Sequence, residues 1–176
     1  MTWEERIAEV WADDALSDEE RIVAIDRVAA ERPSDDAMAL FERAGARDSA
    51  GREHDAEVLY RRALAGALPE EIRIQAVIQL ASTIRNLGKV AESVELLRRE
   101  RESDPGGPLR DAVAAFYALA LSSAGREREA VAVALSALAP HLPRYTRSVA
   151  AYADELTHAR SGMPTANTAE GPETPR

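Results

Sequence analysis

The chain has 176 residues, which is enough for one domain or a short array of repeats, and it contains no cysteine. Disulfide bonds, cysteine-based zinc sites and thiol catalysis are therefore excluded. The formal net charge is −9, and residues 1–36 alone carry −8 of it. This distribution argues against a phosphate-binding surface in the first part of the chain.

The first predicted elements are two helices within residues 1–34. One apolar face at helical spacing marks the first helix: Trp3, Ile7, Val10 and Trp11. The stretch SDEE, which begins at Ser17, is a capping box and predicts a second helix that runs to about Glu31. Two interpretations of the acidic surface of this pair stay open, a solvated helix face and a docking site for a basic partner.

The first residues, MTWEERIAEVWADD, are acidic and contain no apolar run, which argues against a secretory signal. No stretch approaches the roughly 18 apolar residues that a membrane span requires. We therefore expect a cytoplasmic location and no membrane partner.

A polar phrase occurs twice, as SAGREHDA at residues 49–56 and as SAGREREA at residues 123–130. Together with the similar phrase NLG, it places Gly51, Gly88 and Gly125 at a constant spacing of 37 residues. Each glycine lies between two stretches with apolar residues at i, i+3, i+4 and i+7, which predicts a helix, a corner and a second helix. Glycine suits the corner because a helix often ends on a left-handed residue.

Residues 35–142 are accordingly predicted to form three helix pairs with a period of 37 residues. In the last pair, the apolar stripe after the corner is predicted to consist of Ala130, Val131, Ala134 and Leu138. Pro140 and Pro143 then interrupt the pattern, and residues 143–160 are predicted to form a helix that covers the final pair. Residues 161–176 have little to bury and are predicted to be disordered.

In the first repeat, alanine, a large apolar residue and alanine follow the corner glycine by 5, 9 and 12 positions, at Ala56, Tyr60 and Ala63. The third repeat has alanine at all three positions, and the middle repeat is looser, with Ser93, Leu97 and Glu100. In this pattern the helix pairs resemble tetratricopeptide repeats (TPR), and in particular the small bacterial form known as group five. The period exceeds the usual length of about 34 residues. The resemblance implies an all-α fold, a right-handed superhelical stack of antiparallel helix pairs with about nine helices and a C-terminal capping helix.

The titratable residues do not form a catalytic or metal-binding pattern. Adjacent His54 and Asp55 do not face each other on a helix, and His141 and His158 lie near prolines or near the tail. The stretch DPGGP has no strand before it and no Lys-Ser/Thr after it, as a phosphate loop would require. One lysine and scattered arginines form no basic stripe. We therefore expect no enzyme, no metal or other cofactor, and no nucleic-acid partner.

One face of the first helix of the second repeat contains only uncharged polar residues: Gln75, Gln79, Ser82 and Asn86. Other exposed faces of this chain are rich in arginine and glutamate. These amides and this hydroxyl can donate to and accept from a peptide backbone, and nearby Arg85 could pair with a carboxylate. Two interpretations stay open: the stripe binds a partner, or it hydrogen-bonds neighbouring helices.

The resemblance also implies that the first helix of each pair lines a concave groove. In the first repeat, the matching positions are Met38, Phe41, Glu42 and Asp48. Phe116 of the third repeat has an alternative role, which is packing under the last helix against Tyr145 or Tyr152. The predicted partner-binding residues are Phe41, Gln75, Gln79, Ser82, Arg85, Asn86, Phe116 and Leu119.

These observations favour a non-catalytic protein–protein interaction module, an adaptor that binds an extended or helical segment of a partner in the groove. The alternative is a structural homo-oligomer whose groove or edge is filled by another copy of the chain. A weaker third hypothesis is a small-ligand sensor or enzyme that uses the same groove.

Overall fold

A computed structural model describes residues 1–103 and 106–158 of the chain. Within these ranges the protein consists of nine α-helices and one short 3-10 helix, and it has no strand, as predicted. The helices are α1 (Trp3–Ala12), α2 (Asp18–Ala29), α3 (Ala37–Ser49), α4 (Glu53–Leu64), α5 (Glu70–Asn86), α6 (Val90–Ser103), α7 (Arg110–Ser123), α8 (Glu127–Leu138) and α9 (Thr146–His158). The tail predicted to be disordered, 161–176, lies outside the described residues.

Each helix packs against the helices before and after it, from α1 to α9. The first helices of successive pairs also meet, because α5 contacts both α3 and α7. Contacts confined to near neighbours are typical of a repeat array, in which each unit buries its apolar face against the next. This arrangement places α3, α5 and α7 next to one another.

The three corner glycines have the same backbone conformation. Gly51, Gly88 and Gly125 have φ angles of 69°, 80° and 71°, as the repeated phrase predicts. At the first corner the amide of Arg52 donates to the carbonyl of Arg47 at 2.8 Å, and the equivalent bonds at the other two corners measure 2.8 and 2.9 Å. This pattern is the Schellman motif, which satisfies the carbonyls at a helix end.

The predicted capping box at the start of α2 is confirmed. The amide of Glu20 donates to the hydroxyl of Ser17 at 3.4 Å, and the amide of Ser17 donates to the Glu20 carboxylate at 3.0 Å. Thr2 makes the same arrangement at the start of α1. The helix α2 ends at Ala29, slightly before the predicted Glu31.

The core consists of three successive apolar clusters. The first joins α1, α2 and α3 around Ile7 and Ile25. The second joins α3, α4 and α5 around the fully buried Tyr60. The third joins α5 to α8 around Leu97 and Leu121. Because α3 and α5 each contribute to two clusters, they are held firmly between their neighbours.

The apolar stripe predicted for α8 is wrong in register. Val131 and Leu138 are about half exposed, whereas Ala130, Ala132 and Val133 are buried. From Ala130 to Leu138 this helix is apolar at every position except Ser136, so its periodicity is compatible with several registers. Packing between α7 and α9 selects one of these registers.

Candidate partner-binding pocket

A pocket of about 590 Å³ opens where α1, α3, α4 and α5 converge. We call it the α3–α5 pocket, since those two helices supply most of its surface. Its lining residues are Trp11, Phe41, Glu42, Gly45, Asp48, Ser49, Tyr60, Gln75, Gln79, Ser82 and Asn86. Seven of these eleven residues have polar or charged side chains, so the pocket is more polar than the mainly apolar cleft that usually binds small molecules.

Five of the eight predicted partner-binding residues line this pocket: Phe41, Gln75, Gln79, Ser82 and Asn86. Phe41 is only 7% exposed, and its ring centroid lies 6.3 Å from that of Tyr60. Phe41 therefore belongs mainly to the core, and it offers a partner much less surface than an anchor would.

The other three predicted residues lie outside the pocket. Arg85 reaches across to α7, where its Nη1 donates to the hydroxyl of Ser123 at 3.3 Å. Leu119 is about half exposed on α7. Phe116 is partly buried against the cluster that joins α5 to α8.

The alternative role proposed for Phe116 involved the aromatic rings near the last helix. Tyr145 and Tyr152 are instead 75% and 61% exposed. Phe116 packs on the cluster that joins α5 to α8, while α9 packs mainly on α8.

The uncharged stripe of α5 does not bond to neighbouring helices. In the described ranges, the side chains of Gln75, Gln79, Ser82 and Asn86 have no hydrogen-bond partner. The hydrogen bond between α5 and α3 is made by the residue after Ser82, since the buried Thr83 hydroxyl donates to Oδ1 of Asp48 at 2.9 Å. The four stripe residues are therefore free to bond with another molecule.

The side-chain oxygen of Gln79 is buried without a hydrogen-bond partner in the described residues. Its Oε1 is enclosed, and no donor in the described part of the chain reaches it. Burying a carbonyl oxygen without a hydrogen bond costs roughly 1 to 3 kcal/mol. Such atoms are rare in folded proteins and require an explanation.

Glu42 occupies a partly buried position on the wall of the pocket. The indole Nε1 of Trp11 donates to its Oε2 at 2.7 Å. Burial raises the pKa of the Glu42 carboxyl above its usual range, and the Trp11 bond offsets this only in part.

Asp48 is the second carboxylate of the pocket. Beside the Thr83 bond, its Oδ2 receives a long contact of 3.5 Å from the hydroxyl of Tyr60. Burial raises the pKa of Asp48, and the nearby charge of Glu53 adds to the rise. The same burial, together with Asp48, raises the pKa of the Tyr60 hydroxyl, which therefore stays protonated.

Neither pocket carboxylate has a basic partner within the described ranges. Other shielded acids of this chain are paired: Glu57 lies 2.6 Å from Nζ of Lys89, and Glu100 lies 2.6 Å from a guanidinium nitrogen of Arg73. The α3–α5 pocket thus holds two carboxyl groups that no basic side chain of the described residues neutralises.

Glu42 and Asp48 are among the groove positions that the family resemblance implies, whereas the aromatic side of the pocket is not predicted from the sequence. Trp11 was predicted only as part of an apolar helix face, and Tyr60 only as a core residue of α4. A buried indole or phenol needs a hydrogen-bond partner, and this requirement is the signal that could have indicated a nearby acid.

No group of three or more histidine, aspartate or glutamate side chains that could hold a metal ion occurs in the described residues. His141 is exposed and its Nε2 lies 2.9 Å from Asp111 Oδ2. None of the helices in 1–103 and 106–158 has the length and apolar character to cross a membrane.

The family model for the Tetratrico peptide repeat, group five, matches residues 37–156. The match covers more than half of the chain, so the protein belongs to the tetratricopeptide-repeat family. No curated protein and no solved structure was similar enough to be matched. Members of this family serve in general as protein–protein interaction modules.

Proposed function

We propose that the protein is an adaptor that binds a segment of a partner protein across α3, α5 and α7, the groove that the repeats form. The observation that carries the proposal is the uncharged stripe of α5. Its four side chains have donors and acceptors but no hydrogen-bond partner in the described residues, and they open onto the α3–α5 pocket. A peptide backbone supplies the matching donors and acceptors.

Arg85, Phe116 and Leu119 extend this surface beyond the pocket toward α7. Leu119 offers exposed apolar area, while Arg85 is bonded to Ser123 and would have to exchange that bond for one with the partner. The pocket itself is therefore the proposed centre of binding, and the three residues form its edge.

Site-specific photo-cross-linking tests the proposal. A benzophenone amino acid is introduced at Asn86, which is exposed at the pocket, and in a matched control at Val58, which is exposed on α4 and lies outside the pocket. Both variants are added to lysate of the source cell, irradiated and analysed by mass spectrometry, after circular dichroism has confirmed an unchanged helix content.

The proposal predicts an adduct between Asn86 and one defined segment of another protein, with no such adduct from Val58. Equal labelling from both positions would contradict a groove site. An adduct of Asn86 with a second copy of this chain would instead establish the homo-oligomer, the alternative derived from the sequence.

A further inference from the structure

The charge of the α3–α5 pocket indicates what kind of side chain would fill it. Glu42 and Asp48 are both partly buried, and within 1–103 and 106–158 no lysine or arginine pairs with either. The chain has 22 basic residues and uses several of them to neutralise its other shielded acids, such as Glu57 and Glu100. Ionisable groups that are withdrawn from water without a counter-charge are costly, so this pair is an exception within its own protein.

A second observation, independent of the charges, concerns Gln79. Its Oε1 is enclosed beside the same pocket and has no donor in the described residues. The pocket therefore presents three groups that accept hydrogen bonds: two carboxylates and one amide oxygen. Glu42 already accepts from Trp11, and Asp48 from Thr83 and Tyr60. Of these three groups, the Gln79 oxygen is the one with no donor in the described residues, and each carboxylate can accept further bonds.

The walls of the pocket suit a flat cationic group. Trp11 lines it with a partly exposed ring, whose centroid lies 5.7 Å from the Arg21 guanidinium carbon, whereas Phe41 and Tyr60 are only 7% and 0% exposed. An aromatic ring attracts a cation that reaches its exposed face. Gly45 also lines it, and a Cβ at this position would lie 3.4 Å from the Trp11 ring and 3.9 Å from the Tyr60 hydroxyl. A glycine within a helix costs up to about 1 kcal/mol relative to alanine, and here its lack of a side chain lets the Trp11 ring and the Tyr60 hydroxyl pack close to α3.

We infer that the α3–α5 pocket receives an arginine side chain from the segment that the protein binds. This inference rests on the proposed function, because it specifies the chemistry of the same partner. The guanidinium group carries five N–H donors in one plane, which suits pairing with a carboxylate and leaves donors for an amide oxygen such as that of Gln79. It is also weakly hydrated and stacks on aromatic rings, whereas a lysine ammonium is a strongly hydrated point charge with three donors.

The test uses a probe in place of the unidentified partner. N-acetylarginine methylamide is titrated into the ¹⁵N-labelled protein, and the indole N–H signals are followed by NMR. The chain has two tryptophans. The Trp11 indole bonds to Glu42 and reports on the pocket, while the Trp3 indole bonds to the carbonyl of Val28 and serves as the internal control.

The neutral isostere N-acetylcitrulline methylamide and the lysine analogue are titrated at the same ionic strength. Glu42→Gln and Asp48→Asn provide two variants of unchanged shape. We expect the arginine probe to shift the Trp11 signal in a saturable way, with Trp3 unmoved, and to bind about tenfold more tightly than the citrulline probe. Either variant should remove most of this preference.

Equal shifts with arginine and citrulline, no shift of Trp11, or a stronger response to the lysine probe would each overturn the inference. The two proposals fail in distinguishable ways. One outcome is a cross-link from Asn86 to a partner segment with a Trp11 signal that does not shift when the arginine probe is added. This outcome supports the groove function and rejects the arginine pocket. An arginine response without any cross-link rejects the groove function alone.

Discussion

The indole Nε1 of Trp11 donates a hydrogen bond to Oε2 of Glu42 at 2.7 Å, and this bond joins α1 to α3. The N-terminal helix pair is thereby tied to the first repeat, and it supplies one wall of the α3–α5 pocket. Its role is thus more than covering the end of the stack, since Trp11 also holds one of the two pocket carboxylates in place.

Replacing Glu42 by glutamine should stabilise the protein at pH 7. Burial raises the pKa of Glu42 above its ordinary value of 4.5, so ionisation costs the native state more than the unfolded chain. The contribution of Glu42 to the free energy of unfolding is therefore most favourable below pH 4.5, where the carboxyl is neutral. It is lost as the pH rises through the native pKa and the carboxyl ionises. We expect Glu42→Gln to gain roughly 0.5 to 2 kcal/mol at pH 7 and little at pH 4.

Urea unfolding at the two pH values measures this gain, and Glu95→Gln is the matched control. Arg98 and Arg99 lower the pKa of Glu95 to about 2, so its charge is favourable in the native state and its removal should give no gain at pH 7. A Glu42→Gln variant that is less stable than the wild type at pH 7 would show that the charge of Glu42 is already compensated.

The corner glycines should be intolerant of a side chain for reasons of backbone conformation alone. A Cβ at Gly88 would meet nothing within 4 Å, but its φ of 80° is unfavourable for any residue with a side chain. Gly88→Ala is expected to cost about 1 to 2 kcal/mol. Gly106→Ala, where a Cβ also meets nothing and no positive φ is present, should change the free energy of unfolding by less than about 0.5 kcal/mol.

The ion pair between Arg73 and Glu100 joins α5 to α6 through two hydrogen bonds of 2.8 and 2.6 Å. Glu100 is buried, so Arg73→Met would leave its charge uncompensated. We expect a loss of roughly 2 to 3 kcal/mol, somewhat less than for a fully buried pair because Arg73 is partly exposed.

Chemical denaturation of Arg73→Met, of Glu100→Met and of the double variant measures the coupling between the two residues. The double variant should recover most of the loss, because it removes both charges. Arg99→Met is the control, since Arg99 is largely exposed and its pair with Glu95 should contribute little. If the double variant were as destabilised as Arg73→Met, the loss of stability would come from packing and not from an uncompensated charge.

Ser93 occupies the position after the second corner where the other two repeats have alanine. Its fully buried hydroxyl donates to the carbonyl of Ala81 in α5 at 2.7 Å. Ser93→Ala should cost about 0.5 to 1 kcal/mol, because the lost bond outweighs the better helix propensity of alanine. Ser136→Ala is the control, since that hydroxyl bonds only within its own helix, to Ala132. Equal effects in thermal unfolding would mean that the bond between helices adds nothing.

Much of the fold could be predicted from short stretches of sequence. The phrases around Gly51, Gly88 and Gly125 predict helix ends because a left-handed glycine and its Schellman bonds involve only about six consecutive residues. The capping box at Ser17 involves four. In contrast, the register predicted for α8 was wrong. From Ala130 to Leu138 this helix is apolar at every position except Ser136, so no periodic signal distinguishes Val131 from Val133.

The candidate site was predictable in part. Periodicity placed Gln75, Gln79, Ser82 and Asn86 on one face of α5, and the structure brings all four to the pocket. It did not reveal that Thr83, next to that face, makes the bond to α3. The packing of α3 against α5 decides whether the hydroxyl of Ser82 or that of Thr83 bonds to the neighbouring helix. The sequence of neither helix alone predicts that packing.

The sequence by itself determined the all-α repeat architecture, the corners and the uncharged stripe, because these depend on backbone conformation and on spacing within one helix. The tertiary structure alone decided that Trp11, Glu42, Asp48, Tyr60 and Gln79 meet in one pocket. It also decided that the carboxylates of Glu42 and Asp48 have no basic partner in the described residues. Burial and the distance to other charges set the cost of such groups, and both quantities arise only when helices from separate parts of the chain have packed together.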